Sequence, residues 1–251
     1  TVAPFAALMA QLFAGKIGMS FREEAIMRFY ENLKELESRQ GATRTLSESA
    51  SRDCPQRGVY FFFEPGEQRS GSGDGARVVR VGTHALKPGS NTKLWTRLSQ
   101  HRGALRSGGG NHRGSIFRLL VGSALIARDG LSCPTWDTQR SNAPSSVRVA
   151  EAGLERLVSQ TIGAMPVLWL AVDDDPGADS ERGIIERGAI ALLSGSAGAE
   201  IDPPSANWLG HACTRDKVRR SGLWNSNHVD ETYDPAFLDV MELRVLATPV
   251  A

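Results

Sequence analysis

Tyr60, Arg97, His101 and Glu186 are the side chains whose types and spacing could carry chemistry together. Arg97 and His101 stand four residues apart in LWTRLSQHRG, one helical turn, so both leave the same helix face. An arginine fork donates two parallel hydrogen bonds to a phosphate. A phenol becomes a useful base when nearby positive charge, here Arg80 and Arg97, favours the phenolate. A carboxylate such as Glu186 can hold a divalent ion, which lowers the pKa of a bound water. These groups suit a phosphodiester, whose hydrolysis needs an aligned nucleophile, charge stabilisation and a neutralised leaving oxygen. Each has a plainer reading: a core tyrosine, a surface arginine, a helix-capping histidine, a glutamate on the outer face of an amphipathic helix.

The elements that must position them are legible as patterns. Ser20 and Glu23 form a capping-box signature, and Ile26, Phe29, Leu33 and Leu36 recur behind it at helical spacing until Gly41. Residues 40–57 are polar and irregular. GVYFFFE (58–64) and RVVRVGTHAL (77–86) read as two strands of a hairpin with a long glycine-rich connection between them. Leu94–His101 begins a helix, 103–114 is a glycine-rich basic loop, and Ile116–Arg128 and Val147–Ile162 look helical. MPVLWLAV (165–172) has the composition of a buried strand. Ser180 caps a helix running through Glu186 to Leu193, and the apolar final segment FLDVMELRVLATPV would close the sheet. The fold expected is α/β of the α+β kind: a small three-stranded antiparallel sheet flanked by helices.

At 251 residues with 41% apolar and 23% charged residues, the composition is that of an ordinary globular protein. The net charge of +1 says nothing about a polyanionic partner, but its distribution does. Between Gly75 and Arg128 there is no acidic residue. Arg77, Arg80, Lys87, Lys93, Arg97, Arg102, Arg106, Arg113, Arg118 and Arg128 are all basic, which favours a polyanion over a merely solvated surface. Three widely spaced cysteines give neither a zinc pattern nor a disulfide framework, as expected in a reducing cytoplasm. No stretch has the apolar length of a membrane span. Residues 1–18 lack the charged start of a signal peptide, and Met19 before the capped helix reads as an internal start. GNHRGS (110–115) and NSNHVDE (225–231) are only superficially like His-Asn nuclease motifs, since the partner spacing and zinc cysteines are missing.

Gly58-Val59-Tyr60, then Arg80-Val81-Gly82, the helix of Arg97 and His101, then Glu186 and Asn207 in PPSANWLG, resemble the GIY-YIG nuclease superfamily. That group includes homing endonucleases, some restriction enzymes and the incision module of bacterial excision repair. The resemblance implies a GIY-YIG-like core over 58–210 with a large helical insertion at about 103–164. An N-terminal leader and helical extension (1–57) and a C-terminal extension (211–251) would flank it. It further implies a divalent-metal-dependent endonuclease acting on DNA, of a restriction, repair or defence type. Tyr60 would activate or orient the water, Arg97 steady the phosphate, and Glu186 carry Mg2+ or Mn2+. His101 would assist the nucleophile, and Asn207 would position the site. The second tyrosine of the signature is replaced by Arg80. Lys93, Arg102, Arg106, His112, Arg113 and Arg118 would bind the nucleic-acid backbone, with Asn225, Asn227 and His228 adding contacts and Trp224 more simply buried. The alternatives are a catalytically degenerate DNA-binding module of the same fold and an RNA endonuclease. No membrane partner is expected, and a homodimer would follow only from the need to meet two strands.

Overall fold

The computed structural model describes residues 20–250 apart from 42, 105–106, 139–141, 178 and 198–199. The leader 1–18 and Arg106 therefore lie outside the described residues. An antiparallel sheet is built from β1 (Arg44–Thr45), β2 (Gly58–Gln68), β3 (Ala76–Gly82) and β4 (Pro166–Ala171), in the order β1-β4-β2-β3. It has four strands rather than three, because the short β1 pairs with β4 inside the stretch expected to be irregular. β2 is central and covered on both faces, which is why its run Val59–Phe63 is apolar at every position instead of alternating.

Alternation along β2 divides the molecule into two cores. Val59, Phe61 and Phe63 face α1 (Phe21–Gln40), α5 (Glu181–Leu193) and α7 (Phe237–Leu246). Tyr60 and Phe62 face α2 (Leu94–Arg102), α3 (Ile116–Asp129) and α4 (Ser145–Gly163), together with Trp208 and Trp224. The N-terminal helix is capped as its sequence requires: Ser20 Oγ accepts from the Glu23 N–H at 3.2 Å and the Glu23 carboxylate accepts from the Ser20 N–H at 2.8 Å. The final apolar segment, expected as a strand, is instead helix α7, and its buried Phe237, Leu238, Met241 and Val245 recur with helical rather than two-residue spacing. The short helix α6 (Asp216–Ser221) precedes a turn at Gly222.

A bulge at Val79 shifts the β2–β3 register, so that Phe62 faces Arg80 while Phe63 faces Val78. Beyond the bulge Tyr60 pairs with Gly82, where the hairpin strand ends, short of the expected residue 86. β3 is an edge strand, and the chain after α6 covers that edge. The Trp224 N–H donates to the Val79 carbonyl at 2.7 Å, and the Asn225 side chain bonds both backbone groups of Val81, at 3.2 and 2.8 Å.

Candidate active site

The site forms where β2 begins and β3 ends. Gly82 is required there by a close approach: a Cβ at this position would stand 2.2 Å from Tyr60 Oη. The space left by that missing carbon holds the phenol, whose oxygen is 2.8 Å from His101 Nε2. Leu94 and Leu98 bury one face of α2, and His101, three residues beyond Leu98, enters the same core with no exposed surface. Its Nδ1 lies 2.7 Å from Ser115 Oγ, the N-cap of α3. Two hydroxyls thus occupy both ring nitrogens. Burial first, and then the charges of Arg80, Arg97 and Arg118, hold the His101 pKa well below its ordinary value, so the ring is neutral.

Arg80 is buried beside Tyr60, donates to the Trp224 carbonyl and lies with its guanidinium carbon 4.7 Å from the centre of the Phe117 ring. Burial lowers its pKa, opposed by Tyr60 and Glu186. Arg97, one position from buried Leu98, sits at the rim, partly open to solvent, and donates to the Gly114 carbonyl at 3.1 Å. Glu186 arrives from the other helical layer on α5, whose N-cap Ser180 accepts from the Gly183 N–H. The Thr83 N–H donates to Glu186 Oε1 at 3.2 Å, and Thr83 Oγ1 ties that residue to the Gly58 carbonyl at 2.7 Å. Burial raises the Glu186 pKa, offset in part by Arg80, the Thr83 N–H, His228 and Arg97. Tyr60, Arg80, Arg97, His101 and Glu186 therefore meet at one end of the sheet. Arg97 and Glu186 are partly exposed, whereas Tyr60 is 1% exposed, so the phenol is covered by the groups around it.

Asn207 is not among them. It is exposed in a turn between Ser205, bonded to Glu67, and Trp208, bonded to Glu64, at the far end of β2. The asparagine that touches the site's strand is Asn225.

The basic block is also corrected. Arg118, with no exposed surface, donates to Glu155 and to the His101 carbonyl; His112 bonds Glu155 and stacks on Trp136 with ring centres 3.9 Å apart. Arg113 makes two bonds to Glu151, at 2.6 and 2.7 Å. Arg77 pairs with Glu67 and Arg128 with Asp129. Arg102 donates to the Ser49 carbonyl and lies over Trp95. Apart from Arg128, whose pair with Asp129 lies on the surface, these side chains serve internal contacts, with α4 supplying acids that the block itself lacks. Lys87 and Lys93 are exposed beside the start of α2, and Asn227 is exposed in the loop after Asn225.

Sequence reasoning passed over Thr83, Ser115 and His84. His84 is buried, and neither ring nitrogen has a hydrogen-bond partner; the Gln56 carbonyl faces the ring without closing a bond. Burial, then the charges of Arg182 and Arg57, lower its pKa to about 4. A histidine depressed in the folded state contributes stability that is present above its unfolded pKa of about 6.5 and lost as pH falls toward 4. The contribution lost amounts to about 3 kcal/mol. Urea unfolding of wild type and His84→Asn between pH 7 and 4 should show the wild type losing that much more stability over the interval. Parallel curves would contradict the assignment.

Residues 20–250 match the family model of the GIY-YIG domain, and the chain belongs to this family of nucleases. No curated protein and no solved structure matches the sequence. Among the described residues, no helix is long and apolar enough to cross a membrane, and no three potential ligands cluster as a metal site.

Proposed function

We propose that the protein is a divalent-metal-dependent endonuclease that hydrolyses phosphodiester bonds in DNA, acting in a reducing cytoplasm. The convergence of Arg97 and Glu186, both partly exposed, over the buried Tyr60, His101 and Arg80 carries this reading.

The donor chemistry of Glu186 suits a hard divalent ion. One oxygen leans on the Thr83 N–H while the other is bonded by none of the described residues, and magnesium commonly takes one carboxylate and keeps several waters. Bound there, an ion would supply charge stabilisation on a phosphoryl oxygen and lower the pKa of its water.

Arg97 is the side chain placed to grip the scissile phosphate, since its guanidinium reaches solvent with one nitrogen anchored on Gly114. Tyr60, covered as it is, serves with His101 as the layer behind: the neutral ring holds one proton between two hydroxyls, and the phenol supports the charge of Arg80. Substrate contact along the backbone falls to Lys87, Lys93 and Arg97 rather than to the neutralised arginines.

Plasmid nicking with magnesium tests this reading. Arg97→Ala should cut about 10²-fold more slowly, and the slope of log affinity against log salt should fall by about one. Undiminished cutting would reject Arg97 as the phosphate ligand. Cutting of structured RNA but not of duplex DNA would replace the substrate.

A further inference from the structure

We propose that His228 supplies a second protein ligand, beside Glu186, to a divalent transition-metal ion. The proposal rests on the reading of Glu186 as the metal carboxylate and goes beyond it in naming a further ligand and the ion it selects.

The chain between Asn225 and Glu231 is fastened at both ends to the surroundings of Glu186. At one end the Asn225 amide bonds Val81 through both backbone groups, two residues before the Thr83 N–H that Glu186 accepts. At the other end Glu231 accepts from Arg187, the residue after Glu186 on α5. His228 is the middle residue of that segment in sequence and is among the groups acting electrostatically on the Glu186 carboxyl.

Its ring is also oriented. Nδ1 is 2.8 Å from Glu231 Oε1, and a carboxylate can only accept, so that nitrogen carries the proton. In the neutral ring Nε2 then carries the lone pair, and it is bonded by none of the described residues. A carboxylate fixing one nitrogen so that the other can ligate is the usual support of a metal-binding histidine. The imidazole is one-third exposed, open enough to receive an ion. The backbone of His228 has φ 62°, a conformation that residues with a Cβ seldom adopt and that tends to persist at functional positions.

One carboxylate and one imidazole make a donor set for Mn2+ or Zn2+ in preference to Mg2+, which favours oxygen. With two protein ligands and no third potential ligand clustered among the described residues, the remaining positions would be left to water and phosphate oxygens.

Binding of Mn2+, followed by the paramagnetic signal of the free ion, and of Mg2+, followed by calorimetry, tests the assignment on the full chain without any turnover. The variants are His228→Gly, which accepts the same backbone angle, Glu231→Gln and Glu186→Gln. Wild type should bind Mn2+ at least about tenfold more tightly than Mg2+. His228→Gly should weaken Mn2+ about tenfold and leave Mg2+ within about twofold, Glu231→Gln should weaken Mn2+ by about tenfold, and Glu186→Gln should abolish both. Unchanged Mn2+ affinity in His228→Gly, with binding lost in Glu186→Gln, would remove His228 and leave Glu186 standing. Equal loss of both ions in His228→Gly would mark a loop effect and overturn the ligand role. His228→Asn, which also tolerates that backbone, repeats the measurement should the glycine variant fail to fold. Wild-type binding in Glu186→Gln would refute the underlying reading itself.

Discussion

Glu186→Gln should reduce magnesium-dependent cleavage by roughly 10³-fold while unfolding in EDTA at the same urea concentration as wild type or a higher one. The two halves of this expectation have different causes. A carboxamide keeps an oxygen for the Thr83 N–H but is a poor partner for a divalent ion, so chemistry suffers and the strand end does not. The carboxylate, moreover, is ionised at the fold's expense: burial raises its pKa despite Arg80 and Arg97. A carboxyl raised in the folded state stabilises below its unfolded pKa and loses that contribution as pH rises through the folded value. The stability difference between variant and wild type should therefore vanish near pH 4 and favour glutamine at pH 7. Loss of cleavage accompanied by a lowered midpoint would assign Glu186 to the fold instead.

Such a mismatch between stability and use is hard to see in a linear sequence. What was legible there is local: the capping box at Ser20, the strand at 58–64, the Ser180 cap and the helical turn from Arg97 to His101 all follow from residues within a few positions of one another. Membership of the GIY-YIG family was legible from the order of such pieces. What misled was pairing across distance. No acid lies between Gly75 and Arg128, and a sum over that window reads as a positive surface; Glu151 and Glu155 reach back from α4 across about forty residues to pair with Arg113 and Arg118 and to bond His112. Asn207 was singled out by its place in a familiar order, yet Asn225 reaches Val81 because the chain after α6 covers the β3 edge. The C-terminal run was apolar enough for a strand, yet its buried Phe237, Leu238, Met241 and Val245 recur at helical spacing and share a core with α1 and α5. Burial of Tyr60 follows from Gly82 opposite and His101 above, a coincidence of three elements that no single window contains.

Glu155→Ala is the substitution expected to damage the fold most, by about 3–5 kcal/mol in urea unfolding, because it leaves a buried guanidinium without its counter-charge. Burial works against the Glu155 carboxylate, yet the bonds from His112 and the charge of Arg118 outweigh it and hold its pKa below the ordinary range. Arg118 has no exposed surface, so after the substitution it retains only the His101 carbonyl and the carbonyl of residue 155. The effect should extend to the site. Arg118 fixes the end of α2 through that His101 carbonyl, and its N–H is capped by Ser115, the same hydroxyl that holds the His101 ring. Replacing both partners with apolar groups, Arg118→Met with Glu155→Leu, should restore much of the loss, since an ion pair replaced together avoids the stranded charge. A double variant no better than Glu155→Ala would locate the cost in the two lost bonds from buried His112 or in packing, rather than in the stranded charge of Arg118. A loss below about 1 kcal/mol in Glu155→Ala, typical of exposed pairs, would mean that Arg118 reaches water, which would return it to the nucleic-acid surface from which its burial removes it.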